Sequence, residues 1–268
     1  MWRIRAKNTG DDGVRPRRRR VAQVTALALV ASMAAATAYR LIVVAPEGPP
    51  AATSESAPPA ARVYRYADFA GEPASADARG IADWVIDSGD NQGMPFVVLD
   101  KVDARVFVFD ASGKLTGASA ALLGLAHGDH FVPGIGDKKL SQITLDERTT
   151  PAGRYVAEPG VNLTGEQVVW VDYDAGLSMH AVRATNPKER RLQRLASATP
   201  ADNRISYGCI NLPREFFHDV IAPTFKRTRG IVYVLPETGP ARMLFGAYEV
   251  PASAPTAPAP VALGTREQ

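Results

Sequence analysis

Short apolar runs alternate with polar turns along most of the middle of the chain. Ile81, Trp84 and Val85 recur at helical spacing, so a helix is expected over 75–88, with Ser75 as N-cap and Gly89-Asp-Asn-Gln-Gly93 as stop. Pro95-Phe-Val-Val-Leu-Asp100 and Arg105-Val-Phe-Val-Phe-Asp110 are runs of β-branched and aromatic residues. The short link 101–104 between them and the turn Asp110-Ala-Ser-Gly113 after them predict a hairpin or meander. Further strands are expected at 143–145, 153–156, 167–173, 178–182 and 230–236. Helices are expected at 187–196, a basic stretch, and at 213–221, ended by Pro223. Many short strands with few helices predict one mainly β globular domain with a few flanking helices.

The ends differ. From Pro46 to Ala61 and again from Pro251 to Gln268 the chain is rich in Pro and Ala and cannot pack a core, so both read as disordered. Ahead of the first spacer, Arg15 and Arg17 to Arg20 precede the uncharged run Val21 to Ala38, which ends in Ala36-Thr37-Ala38. This pattern predicts export, either through a cleaved signal peptide or through an anchor over 1–45 in the inner membrane, with Arg40 snorkelling. The expected division is therefore 1–45 signal or anchor, 46–61 linker, 62–94 helical extension, 95–250 main folded domain and 251–268 tail.

Composition is that of an ordinary globular protein, 46% hydrophobic and 22% charged, large enough to hold a core without disulfides or metal. The net charge of +3 is concentrated in the leader, and basic residues do not interleave with aromatics. A nucleic-acid partner is therefore discarded. No cofactor and no metal is expected, since no convincing ligand cluster exists. The sequence carries no signal for oligomeric state.

Export makes the single cysteine informative, because an unpaired thiol in an oxidising compartment is a liability. Cys209 lies in Ile205-Ser-Tyr-Gly-Cys-Ile-Asn-Leu-Pro213. Gly208 permits a tight turn that presents a nucleophile, with neighbouring N–H groups free to receive an oxyanion. A thiol needs a base at neutral pH, and His180 at a strand end, 29 positions earlier (209 − 180), is the favoured candidate over His127, His130 and His218. A buried, inert cysteine is the alternative.

Three ordered landmarks sharpen this choice: Thr149-Thr150-Pro151-Ala152-Gly153-Arg154-Tyr155, Met179-His180 and Ser206-Tyr207-Gly208-Cys209-Ile210-Asn211. Together they resemble the catalytic domain of the L,D-transpeptidases (YkuD-type), over about 95–236; the strand pair around Val97–Leu99 and Val106–Phe109 resembles that family's opening hairpin. The resemblance implies a β-sandwich-like catalytic fold in the periplasm or cell envelope. It further implies a cofactor-free acyltransferase whose donor and acceptor are peptidoglycan stem peptides. It makes Cys209 the nucleophile and His180 the base. Gly208, Ser206 and Tyr207 become oxyanion or turn support, and Asn211 a loop brace or substrate contact. The charge of the basic segment, rather than the resemblance, makes Arg204 and Arg183 candidate grips for stem-peptide carboxylates. Two departures stand out. Tyr207 replaces the family's usual His, and Ala181 replaces Gly or Ser, leaving a backbone carbonyl to orient the imidazole. The basic segment 183–204 is expected to form either a lid or a solvated helix docked by Leu192 and Leu195. Alternatives are the same acyl-enzyme resolved by water (a carboxypeptidase or hydrolase), a non-catalytic peptidoglycan-binding scaffold and an unrelated Cys–His amidase.

Overall fold

The computed structural model describes residues 62–251. The signal or anchor over 1–45, the linker over 46–61 and the tail beyond Pro251 lie outside the described residues. Within them no helix is long and apolar enough to cross a membrane.

The chain is mainly β. The ten strands among the described residues are β1 (Phe96–Asp100), β2 (Arg105–Phe109), β3 (Leu115–Ala120), β4 (Leu123–Gly124), β5 (Gly153–Val161), β6 (Gln167–Asp172), β7 (Leu177–Ala181), β8 (Arg204–Ser206), β9 (Ile210–Leu212) and β10 (Gly230–Val234). Eight form one sheet in the order β3-β2-β1-β10-β5-β6-β7-β9, while β4 and β8 pair separately. Beyond β3 the chain makes an antiparallel bridge between Leu122 and Asn211 of β9, so the sheet curls until its two ends meet.

Strand alternation builds two cores. Val97 and Leu99 of β1, Val106 and Val108 of β2, and Val232 and Val234 of β10 point into the curl. There they meet Phe217, Ile221 and Phe225, and Met179 and Ile210 from the far side of the sheet. The alternate residues Phe96, Val98, Phe107, Phe109, Ile231 and Tyr233 face the other way. They are covered by α1 (Ala76–Ser88), through Ile81, Trp84 and Val85, and by α5 (Ala241–Phe245). Phe96 stacks on its cross-strand partner Phe109 at 4.7 Å, the type of pair that stabilises a sheet face. Ser75 caps α1 by accepting from Ala78 N–H at 3.0 Å, and left-handed Gly89 ends it.

Several expected elements differ. Residues 143–145 are not a strand: Leu140–Gln142 form a 3-10 turn, Ile143 is buried and Leu145 is exposed. The apolar residues there serve one inward contact rather than a ladder. The helix expected over 187–196 is broken. Pro187–Glu189 form a 3-10 turn, left-handed Arg190 interrupts, and α2 (Arg191–Leu195) follows with Leu192 exposed rather than docked. Pro223 does not end the helix after β9. The chain runs through α3 (Arg214–Phe216), a π-turn over Phe217–Ile221 and α4 (Ala222–Phe225), with Pro223 placed directly after the π-turn, where the helix already departs from the regular i→i−4 ladder. β5 extends to Val161, and β3, β4, β8 and β9 had no counterpart in the pattern.

Candidate functional site

β7 and β9 are parallel neighbours, with Met179 opposite Ile210, His180 opposite Asn211 and Ala181 opposite Leu212. Side chains two apart on a strand share a face. Met179 enters the core, so Ser178 and His180 both face the opposite side, where the turn before β9 delivers Cys209.

The sulfur is hydrogen-bonded to the His180 imidazole. Ser178 Oγ donates to it at 3.6 Å, and the Gly176 carbonyl oxygen, 3.3 Å away, is a second acceptor within reach of the one thiol proton. Burial pushes the Cys209 thiol up. The His180 hydrogen bond and charge, with the side chain and backbone of Ser178, outweigh this and hold it below the ordinary thiol value. His180 Nδ1 lies 2.9 Å from the Ala181 carbonyl. A carbonyl only accepts, so Nδ1 carries the proton and Nε2 presents its lone pair to the sulfur. The backbone thus supplies the orienting group that Ala181 has no side chain to provide.

The nucleophile turn is braced at both of its carbonyls and at the Gly208 N–H. Ser206 Oγ accepts from Gly208 N–H at 3.1 Å and donates to the Cys209 carbonyl at 2.7 Å. Asn211 Nδ2 donates to the same carbonyl at 3.0 Å, while Asn211 Oδ1 accepts from Arg191 at 2.6 Å. Gly208 has φ +126°, and a Cβ there would come 2.7 Å from the Thr149 carbonyl oxygen, so this position requires glycine.

Cys209 opens into a groove whose walls include His180, Trp170, Lys138, Arg183, Glu189, Arg191 and Asn211. On its other side lies a smaller hollow lined by Phe131, Val132, Glu147, Pro151 and Leu177. Tyr207 and Cys209 border both. The groove's cations already have anionic partners: Arg183 with Glu166 at 3.3 Å, Lys138 with Glu147, and Arg191 with Glu189.

The structure therefore gathers Cys209, His180, Ser206, Tyr207, Gly208, Asn211 and Arg183 around one opening, but not Arg204. Arg204 is buried, donates to the Lys101 carbonyl at 2.8 Å and pairs with Glu237 at 2.5 Å, away from the walls of the groove. Of the basic segment, Arg183 and Arg191 reach the groove, whereas Arg190 and Arg194 line a separate polar surface depression. The competing histidines lie elsewhere: His127 pairs with Glu237, the His130 carbonyl accepts from Thr149, and His218 packs edge-on against Phe217. Ser178 and Thr150 were not singled out from the sequence. Alternation from His180 points to Ser178; nothing local to Thr150 announces its partners. Among the described residues no group of three or more His, Cys, Asp or Glu side chains is gathered for a metal.

No protein-family model matches the chain, and no curated protein does. Among solved structures it is similar to the catalytic domain of an L,D-transpeptidase from E. faecium, at 17% identity and a TM-score of 0.30, over 52% of this chain and 95% of that one. It is also similar to the helical cell shape determining protein Pgp2 from Campylobacter jejuni, at 18% identity and 0.34, over 55% and 49%. A third likeness is to the Ldtfm–avibactam carbamoyl enzyme, at 16% identity and 0.31, over 53% and 49%. The chain thus spans about half the length of the second and third of these.

Proposed function

We propose that this protein is a cysteine acyltransferase of the L,D-transpeptidase type, acting on peptidoglycan stem peptides outside the cytoplasmic membrane. The observation that carries the reading is the Cys209–His180 contact at the mouth of an open groove, with Nδ1 already committed to the Ala181 carbonyl. The ordered motifs around Thr150, His180 and Cys209 supply the substrate class by resemblance. In this reading residues 95–250 are the catalytic domain, 62–94 extend it, and the N-terminal segment exports the chain or anchors it.

His180 Nε2 takes the Cys209 proton, and the thiolate attacks the carbonyl joining an L-centre to the terminal D-alanine of a donor tetrapeptide. The sulfur–carbon bond forms as the carbonyl electron pair moves to oxygen. Collapse of that oxyanion breaks the C–N bond, and the imidazolium proton leaves with the D-alanine amine. An acceptor amine then attacks the thioester, gives its proton to His180 and expels the thiolate. Arg183 and Asn211 border the groove where a bound peptide lies, and Arg191 tethers Asn211 there.

Incubation of the purified protein with tetrapeptide muropeptides, with and without acceptor, tests this. Crosslinked dimers are the expected product. Tripeptide alone assigns the same acyl-enzyme to hydrolysis. A carbapenem adduct in intact mass that persists in Cys209→Ala removes Cys209 as nucleophile.

A further inference from the structure

Behind the nucleophile turn, on the side away from the groove, sits a fully buried ammonium that the reaction does not use. Lys101 Nζ donates to the carbonyls of Gly128 at 2.7 Å and Thr150 at 2.9 Å, and to Asp129 at 2.6 Å. Its charge is balanced by Asp129 and, at 3.6 Å, by Glu237, which also holds Arg204. Thr150 is gripped from the other end as well. Its hydroxyl accepts from Gly124 N–H at 2.9 Å and donates to the Gly208 carbonyl at 2.7 Å. Backbone packing leaves it no slack: a Cβ on Gly124 would meet the Arg148 carbonyl oxygen at 2.3 Å, and one on Gly208 would meet that of Thr149 at 2.7 Å.

The peptide joining Gly208 to Cys209 is trans, so the Gly208 carbonyl and the Cys209 N–H point in opposite directions. Drawing the carbonyl onto buried Thr150 turns the Cys209 N–H away from Thr150. Gly208 N–H is already consumed by Ser206 Oγ, whereas no acceptor takes the Cys209 N–H among the described residues. We propose that Thr150, anchored by Lys101, is a positioning residue that fixes the Gly208–Cys209 peptide plane and so aims the Cys209 N–H as the oxyanion donor. This rests on the acyl-transfer reading for its chemistry, though any carbonyl attacked by Cys209 makes the same demand.

The test separates carbonyl attack from thiolate formation in the full-length chain. p-Nitrophenyl acetate acylates Cys209: the sulfur–carbon bond forms, an oxyanion appears, and p-nitrophenolate leaves with the electrons of the broken C–O bond. Iodoacetamide alkylates the same sulfur by displacing iodide, with no oxyanion. Thr150→Val is expected to slow acylation at saturating ester by about 10- to 100-fold, within the range set by losing an oxyanion donor. Its alkylation rate and alkylation pH midpoint stay at the wild-type values. Thr150→Ser, which keeps the hydroxyl, is expected to acylate within about threefold of wild type, since the hydrogen bond to Gly208 is retained. The proposal is overturned if the valine variant acylates normally, if acylation and alkylation fall together, or if the serine variant falls as far as valine. A wild-type protein inert to the ester overturns it too. A wild type that takes the ester but refuses muropeptides and carbapenem instead removes the peptidoglycan reading, and the ratio between variants still decides the role of Thr150.

Discussion

The Arg148 guanidinium lies over the Tyr207 ring, 3.9 Å from its centroid, and the Arg148 Nε is buried without a hydrogen-bond partner among the described residues. Tyr207 borders both the groove and the smaller hollow, and Arg148 packs on its ring. This contact gives a physical use to the residue that stands where the resembled family carries His. Tyr207 is not among the groups hydrogen-bonded to the sulfur. Tyr207→His is therefore expected to keep thiol reactivity at the wild-type level. Tyr207→Ala is expected to cost about 1 kcal/mol of stability through the lost cation–π contact, measured by urea unfolding.

His180 sets the state of the thiol. A lowered thiol pKa means that the thiolate appears at a lower pH than in a free cysteine and grows in as pH rises through that value. The alkylation midpoint of the wild type should fall below the free-thiol value of about 8.5. In His180→Asn the burial of the sulfur acts with less opposition, and the midpoint moves upward. Turnover should fall by about 10²–10⁴-fold, as expected when a general base is removed. An unchanged midpoint refutes the pairing.

Ser178 adds a smaller increment with the same sign. Its hydroxyl donates to the sulfur at 3.6 Å, a contact that favours the anion. Loss of one such bond, worth about 1 kcal/mol, predicts that Ser178→Ala raises the alkylation midpoint by less than His180→Asn does. Ser178→Thr, retaining the hydroxyl, lies closer to wild type. The ordering of the three midpoints by titration is the check.

Asp129 ties the fold to acid. Burial pushes its carboxyl up, but hydrogen bonds from Lys101, Thr238 and two backbone N–H groups hold it well below the usual carboxylate range. A depressed carboxylate contributes its stability fully above its unfolded value, about 3.9, and loses it as pH falls through the folded value. Asp129→Asn is expected to flatten the acid limb of the stability–pH curve. Lys101→Met should cost about 3–5 kcal/mol at neutral pH, because it strands buried acidic partners. Chemical denaturation across pH 2–7 measures both.

Legibility from sequence tracked side-chain information. β1 and β2 were plain because Phe-Val-Val-Leu and Val-Phe-Val-Phe are buried on both faces of the sheet and contain little else. β3, Leu-Thr-Gly-Ala-Ser-Ala, was invisible: its residues are small, and Gly117 is there because Phe216 and Val220 pack against it. Three-residue β8 and β9 are too short to show a period. Within the site, the turn around Cys209 announced itself through Gly208, and His180 through its strand end. The burial of Arg204 against Glu237 was hidden, since the two are 33 residues apart and a surface arginine reads the same way in sequence.

Because β7 and β9 run side by side in the same direction, the chain between them cannot turn back tightly and must travel around to re-enter the sheet. His180 and Cys209 thus sit at the two ends of a detour whose middle reaches back through Arg191 to Asn211, beside the carbonyl of Cys209. That detour is where the chain doubles as a wall: Thr185, Asn186, Glu189 and Arg191 line the groove, so the excursion imposed by parallel pairing also shapes the space in front of the thiol.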